Sequence, residues 1–113
     1  MKFINLSDFH CGKDFKRNVE ASKVLIKYLK ENPIDFVTVS GDWWDRELRA
    51  SSRDNYEFYL DIARLIKFYG NNVFFVRGTP SHDTPGAYEP LKLLGWQEIG
   101  LFEVVEFKGV QIL

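Results

Sequence analysis

The chain is poor in the residues that build covalent or thiolate scaffolds. It holds one cysteine, Cys11, in 113 residues. That excludes a disulfide framework and a cysteine-rich metal cluster, and it fits a reducing compartment. Histidine is nearly as scarce, with two, His10 and His82. An excess of charge of either sign is missing too: 15 Lys and Arg stand against 16 Asp and Glu, a net charge of −1. A strongly basic nucleic-acid footprint is therefore excluded, and a phosphate-bearing ligand must be held by local features. There are no long apolar runs. The opening "MKFINL" turns polar at Ser7, too early for a signal-peptide core, and no stretch approaches the roughly 20 apolar residues that span a bilayer. The expectation is a cytoplasmic protein with no membrane partner.

What is present is a globular composition, 45% hydrophobic and 27% charged, of a length that suits one domain. Lys2 to Leu6 reads as a first strand. Apolar residues Ala21, Val24, Leu25, Tyr28 and Leu29 recur at helical spacing over Val19 to Glu31, with Asn18 as the expected cap and Pro33 closing the element. Ile34 to Val39 reads as a second strand. Tyr56, Tyr59, Leu60, Ala63 and Ile66 form a second helical stripe that ends near Gly70. "NVFFV", ending at Val76, is the third strand. A short helix is expected around Glu89 to Leu94, with Pro90 near its start and Gly95 as its stop. The tail, "FEVVEFKGVQIL", suggests a hairpin about Lys108-Gly109. The order β-α-β-α-β predicts an α/β fold: a parallel sheet flanked by helices, with a C-terminal hairpin.

Ligands of open α/β sheets bind beyond the carboxyl ends of the strands. Three polar clusters fall there: "SDFHCG" after strand one, "SGDWWD" after strand two, and "RGTPSHD" after strand three. Both histidines belong to this set. Asp8 and His10 are two apart, so in an extended segment their side chains point the same way and suit a divalent cation. Asp42 follows a glycine, which lets the backbone turn tightly against a ligand. Several aspartates in one cleft would repel a phosphate, whereas divalent cations invert that sign. Taken singly, each cluster also reads as an ordinary capped turn. Their joint position beyond three successive strands favours a site.

These residues resemble the calcineurin-like metallophosphoesterase family. Its D-x-H motif matches Asp8-Phe9-His10, and its G-D-x-x-D motif matches Gly41-Asp42-Trp43-Trp44-Asp45. Its G-N-H-D motif matches, in altered form, Gly78-Thr79-Pro80-Ser81-His82-Asp83. "VRGTPSHD" is most similar to the nuclease-type branch, which includes SbcD-like DNA-repair exonucleases and phage relatives. The resemblance implies half of a metallophosphoesterase sandwich over residues 1–113. It also implies a phosphodiesterase or DNA exonuclease with two divalent metal ions, Mn2+ foremost and Mg2+, Fe2+ or Zn2+ as alternatives. Asp8 and His10 would hold the first metal and Asp42 would bridge both. Asp45 would orient a ligand by hydrogen bonding. His82 would protonate the leaving oxygen, with Asp83 orienting it. Ser81, or else Thr79, would stand in for the family's asparagine ligand. Arg77 would bind a phosphate oxygen or else pair with a nearby acid.

DNA is the implied substrate, an SbcC-like ATPase the implied partner, and a homodimer is compatible with the family. No histidine follows His82, whereas the family supplies further histidines downstream. The 113 residues alone are therefore expected to be an incomplete, inactive domain, and a non-catalytic remnant or a phosphomonoesterase are the alternatives. Three smaller features stay open. Cys11 fills a variable motif position beside His10 and could touch metal. Trp43 and Trp44 could stack on a base or pack in the core. Lys13, Lys16 and Arg17 could guide a nucleic-acid backbone or form a solvated loop.

Overall fold

The structure, a computed structural model, describes residues 2–7, 9–11, 14–41, 43–44, 53–77, 88–99, 105–107 and 110–112. In chain order the elements are β1 (Phe3–Leu6), α1 (Phe15–Glu31), β2 (Phe36–Val39), α2 (Arg53–Gly70), β3 (Val73–Phe75), α3 (Glu89–Leu93), β4 (Gln97–Glu98), β5 (Val105–Phe107) and β6 (Val110–Ile112). Strands β1 to β4 form one sheet in sequence order, and every neighbouring pair is parallel. The expected α/β architecture is present. The terminal hairpin is also there, with Phe107 opposite Val110 across the expected turn.

Strand alternation divides the sheet into two unlike faces. Ile4, Leu6, Val37, Val39, Val73 and Phe75 join one core with Ile26 and Leu29 of α1, Ile62, Ala63 and Ile66 of α2, and Leu91 of α3. Phe36 and Phe74 point the other way and cluster with Ile99 and Val76. Right-handed crossovers between strands laid down in sequence order carry every helix to the same side, so all three helices cover one face. Phe3 extends the second face at its edge, stacked on Phe36 at 4.8 Å and 57% exposed.

Two expectations need correction. Helix α1 begins four residues before the expected start, at Phe15. Its cap is Asp14, whose Oδ1 accepts from the Arg17 amide at 3.1 Å. Asn18 lies inside the helix and is buried. The first turn, Phe15 to Asn18, carries mostly polar side chains, so it adds nothing to the apolar periodicity on which the expected start rested. Strand β4 was not expected at all. Its two residues are polar and exposed, and only pairing with Phe74 and Phe75 marks them as strand.

Candidate active site

All four sheet strands point the same way, so the loops leaving β1, β2 and β3 open on one edge. The first two are joined by backbone at two levels. Before the motifs, the Ser40 amide donates to the Leu6 carbonyl at 2.8 Å. Just past the D-x-H motif and inside the G-D-x-x-D motif, the Cys11 amide donates to the Trp43 carbonyl at 2.7 Å, and Cys11 pairs with Trp44 as a parallel bridge. Phe9 stacks on Trp43 at 4.7 Å. Gly41 is buried with φ at +93°, a left-handed turn that a side chain would oppose. His10 also has positive φ, +50°, a region where histidine is enriched among non-glycine residues. His10 itself is therefore not in the extended conformation on which the inference of a common side-chain direction rested.

The third loop is tied to the second. Tyr88, just ahead of α3, stacks on Phe75 of β3 at 4.6 Å. Its hydroxyl accepts from the Trp43 amide at 3.2 Å. Arg77, at the loop's start, lies 5.5 Å over the Tyr88 ring. Tyr88 thus ties Arg77, the last described residue after β3, to Trp43.

Arg77 is already occupied. Its Nε donates to Glu98 Oε2 at 2.6 Å and Nη2 reaches Oε1 at 3.4 Å, with Glu89 3.6 Å away. The hydrogen bond to Glu98 raises the guanidinium pKa, and the same bond from Arg77 lowers the carboxyl of Glu98. The ion pair to a nearby acid is the contact observed, and a phosphate would have to compete with Glu98.

Sequence reasoning missed Asn18 as a support for the site. Its Nδ2 donates to the Phe9 carbonyl at 3.2 Å, inside the D-x-H motif, and its Oδ1 accepts from the Tyr59 hydroxyl at 2.7 Å. Asn18 therefore braces the first loop against α2. The available signal was an aspartate, Asp14, four residues before Asn18, which offers a helix cap ahead of the one expected. The tryptophans settle into the core. Trp43 is fully buried among Phe9, Trp44 and Trp96, and Trp44 is buried against Tyr56 and Tyr59. Neither offers a face to a base. Cys11 is also buried, and burial pushes its thiol well above the ordinary range, against a thiolate ligand.

Of the expected site residues, the structure describes His10 and Arg77. Asp8, Asp42, Asp45, Thr79, Ser81, His82 and Asp83 lie outside the described residues, as does Lys13. Among the described residues no three His, Cys, Asp or Glu side chains gather in one place. His10 does line a pocket of about 490 Å³ with Ser7, Phe9, Asp14, Arg17 and Asn18.

The family model for calcineurin-like phosphoesterases matches residues 1–108. The chain belongs to the calcineurin-like phosphoesterase family. Members are metal-dependent hydrolases of phosphoester bonds. Comparison with curated proteins and with solved structures gives no match. The donor chemistry fits the divalent metals of the family. Imidazole and carboxylates are the side chains of its motifs, and the single thiol is turned into the core. No helix among the described residues is long and apolar enough to cross a membrane.

Proposed function

We propose that this chain carries the N-terminal part of a nuclease-type phosphodiesterase, SbcD-like in character, that hydrolyses DNA through a dinuclear metal site. The supporting observation is the wiring of the three strand-end loops. Cys11 to Trp43 links the first loop to the second, and Trp43 to Tyr88 links the second to the third. Cys11, Trp43 and Tyr88, described residues that flank or lie within segments far apart in sequence, are thereby linked at one edge of one sheet.

In this reading Asp8, His10 and Asp42 would hold two divalent cations, with Asp42 shared between them, and Ser81 or Thr79 would contribute a hydroxyl. The cations, Mn2+ best matched to an oxygen and nitrogen donor set, supply charge stabilisation at the phosphate. His82 delivers a proton to the leaving oxygen, and Asp83 holds its imidazole in the donating orientation. Asp45 orients the ligand by accepting hydrogen bonds. Arg77 joins the phosphate only by exchanging Glu98 for it. DNA is the proposed substrate and an SbcC-like ATPase the proposed partner.

The test is hydrolysis of an aryl phosphodiester and of DNA by the protein with Mn2+, against an Asp42→Ala control and with nucleoside monophosphates alongside. Diester cleavage that depends on Asp42 supports the proposal. Preference for monophosphates would assign a phosphomonoesterase on the same scaffold. A second reading rests on the absence of any histidine after His82. On that reading the 113 residues hold metal without turnover unless further histidines come from outside them. Full activity of the 113-residue chain alone would refute it.

A further inference from the structure

We propose that the pocket between the D-x-H loop and the start of α1 is a subsite for a nucleic-acid backbone phosphate next to the scissile one, with Arg17 as its anion-binding residue. The inference rests on the phosphodiesterase reading above and adds to it the group that favours a polymer over a monoester.

Three observations carry it. First, the pocket borders a proposed metal ligand. His10, the last residue of the first motif, is part of its wall, and at about 490 Å³ it has the volume of a small-ligand cleft. Second, Arg17 differs from the other arginines whose side chains the structure describes. Arg64 pairs with Asp61 at 2.6 Å, and Arg77 is held by Glu98. Arg17 lines the pocket, is exposed, and makes no ion pair among the described residues. Among the described residues that line the pocket the one carboxylate is Asp14, which is turned to the helix and accepts from the Arg17 backbone amide. The guanidinium is therefore available to an incoming anion, for which a charged planar donor is well suited. Third, its mount is rigid. The neighbouring Asn18 is buried and bonded to both the Phe9 carbonyl and Tyr59.

A lone phosphate monoester would be seated at the metal ligands and leave this subsite empty. A nucleic-acid strand brings a second phosphate along its backbone. Arg17 should thus act on polymer binding and leave the chemistry at phosphorus alone.

The experiment compares Arg17→Ala and Arg17→Lys with the parent protein. Binding of a single-stranded oligonucleotide is followed by fluorescence anisotropy over a salt series, on an Asp42→Ala background that blocks turnover. Hydrolysis of DNA and of an aryl phosphodiester is measured on the otherwise unaltered protein. The expected results for Arg17→Ala are about tenfold weaker oligonucleotide binding and a salt slope shallower by about 0.7, as for one lost phosphate contact on a single strand. Arg17→Lys should recover part of the affinity. KM for DNA should rise while kcat, aryl phosphodiester hydrolysis and melting temperature stay unchanged.

Oligonucleotide affinity and salt slope that ignore Arg17 would overturn the subsite, as would a parent protein that binds no oligonucleotide. Arg17-dependent binding of ATP as tight as that of the oligonucleotide would reassign the pocket to a nucleotide polyphosphate. If Arg17-dependent binding appears but no phosphodiester is cleaved, the subsite stands and the catalytic reading fails.

Discussion

Asn18 shows how one side chain links packing to the site. It is a helix residue by position, yet its amide serves the loop before the helix and its carbonyl oxygen serves α2. Asn18→Ala removes both hydrogen bonds. At roughly 0.5–1.5 kcal/mol each, the loss should be about 1–3 kcal/mol, more than the few tenths that alanine gains in helix propensity. Urea unfolding should show that loss. A Mn2+ titration should show weaker affinity, because the Phe9 carbonyl beside His10 is released. Ser22 presents the opposite case. It is buried in α1, and its hydroxyl has no hydrogen-bond partner among the described residues. Ser22→Ala deletes a desolvated polar atom at a helical position and should stabilise the protein by about 0.5 kcal/mol or more. A lower urea midpoint for Ser22→Ala would mean that the hydroxyl does find a partner.

Between elements, close packing outweighs local propensity at Gly70, the last residue of α2. A Cβ there would sit 2.6 Å from Cγ2 of Val37, a buried and β-branched residue of β2 that has little room to turn aside. Gly70→Ala should therefore destabilise by about 1–3 kcal/mol, although alanine is worth about 1 kcal/mol more than glycine in a helix. Thermal unfolding decides between the two effects by the sign of the change.

The exit of β3 is fastened to β4 by Arg77 and Glu98, and that contact should be pH-dependent. The folded-state pKa of Glu98 lies below its unfolded value, chiefly because Arg77 hydrogen-bonds the carboxylate. Its contribution is complete above the ordinary carboxylate range and is lost as pH falls through the depressed folded value. Both side chains are partly exposed, so Glu98→Gln should cost about 0.5–1 kcal/mol near neutral pH, and the difference should vanish in strong acid. Element existence was legible wherever apolar periodicity ran long, as in α2 and in β1 to β3. It failed at Phe15 to Asn18, whose polar turn is fixed by the Asp14 cap, and at Gln97-Glu98, which is a strand only because β3 lies beside it.

For the whole molecule, residue types past three strand ends pointed to the family, but the wiring of those strand ends could not be read from them. The hydrogen bonds from Cys11 to Trp43 and from Trp43 to the Tyr88 hydroxyl join residues far apart in sequence. No local pattern announces them. The same wiring turned Trp43 and Trp44 from ligand candidates into core. A site assembled this way exists only in the folded chain, so a cation that binds it must stabilise the fold. At a free concentration a hundred times Kd, one cation adds about 2.7 kcal/mol. For a domain near 100 residues that corresponds to a melting temperature higher by on the order of 10 °C. Mn2+ should produce such a shift in the parent protein and in Glu98→Gln, and a much smaller one in Asp42→Ala. Because the readout is melting and not turnover, it holds whether or not the 113 residues hydrolyse anything. A parent protein whose melting temperature ignores Mn2+ and the other divalent cations would remove the metal from the reading altogether. A shift of equal size in Asp42→Ala would place the cation somewhere other than the strand ends.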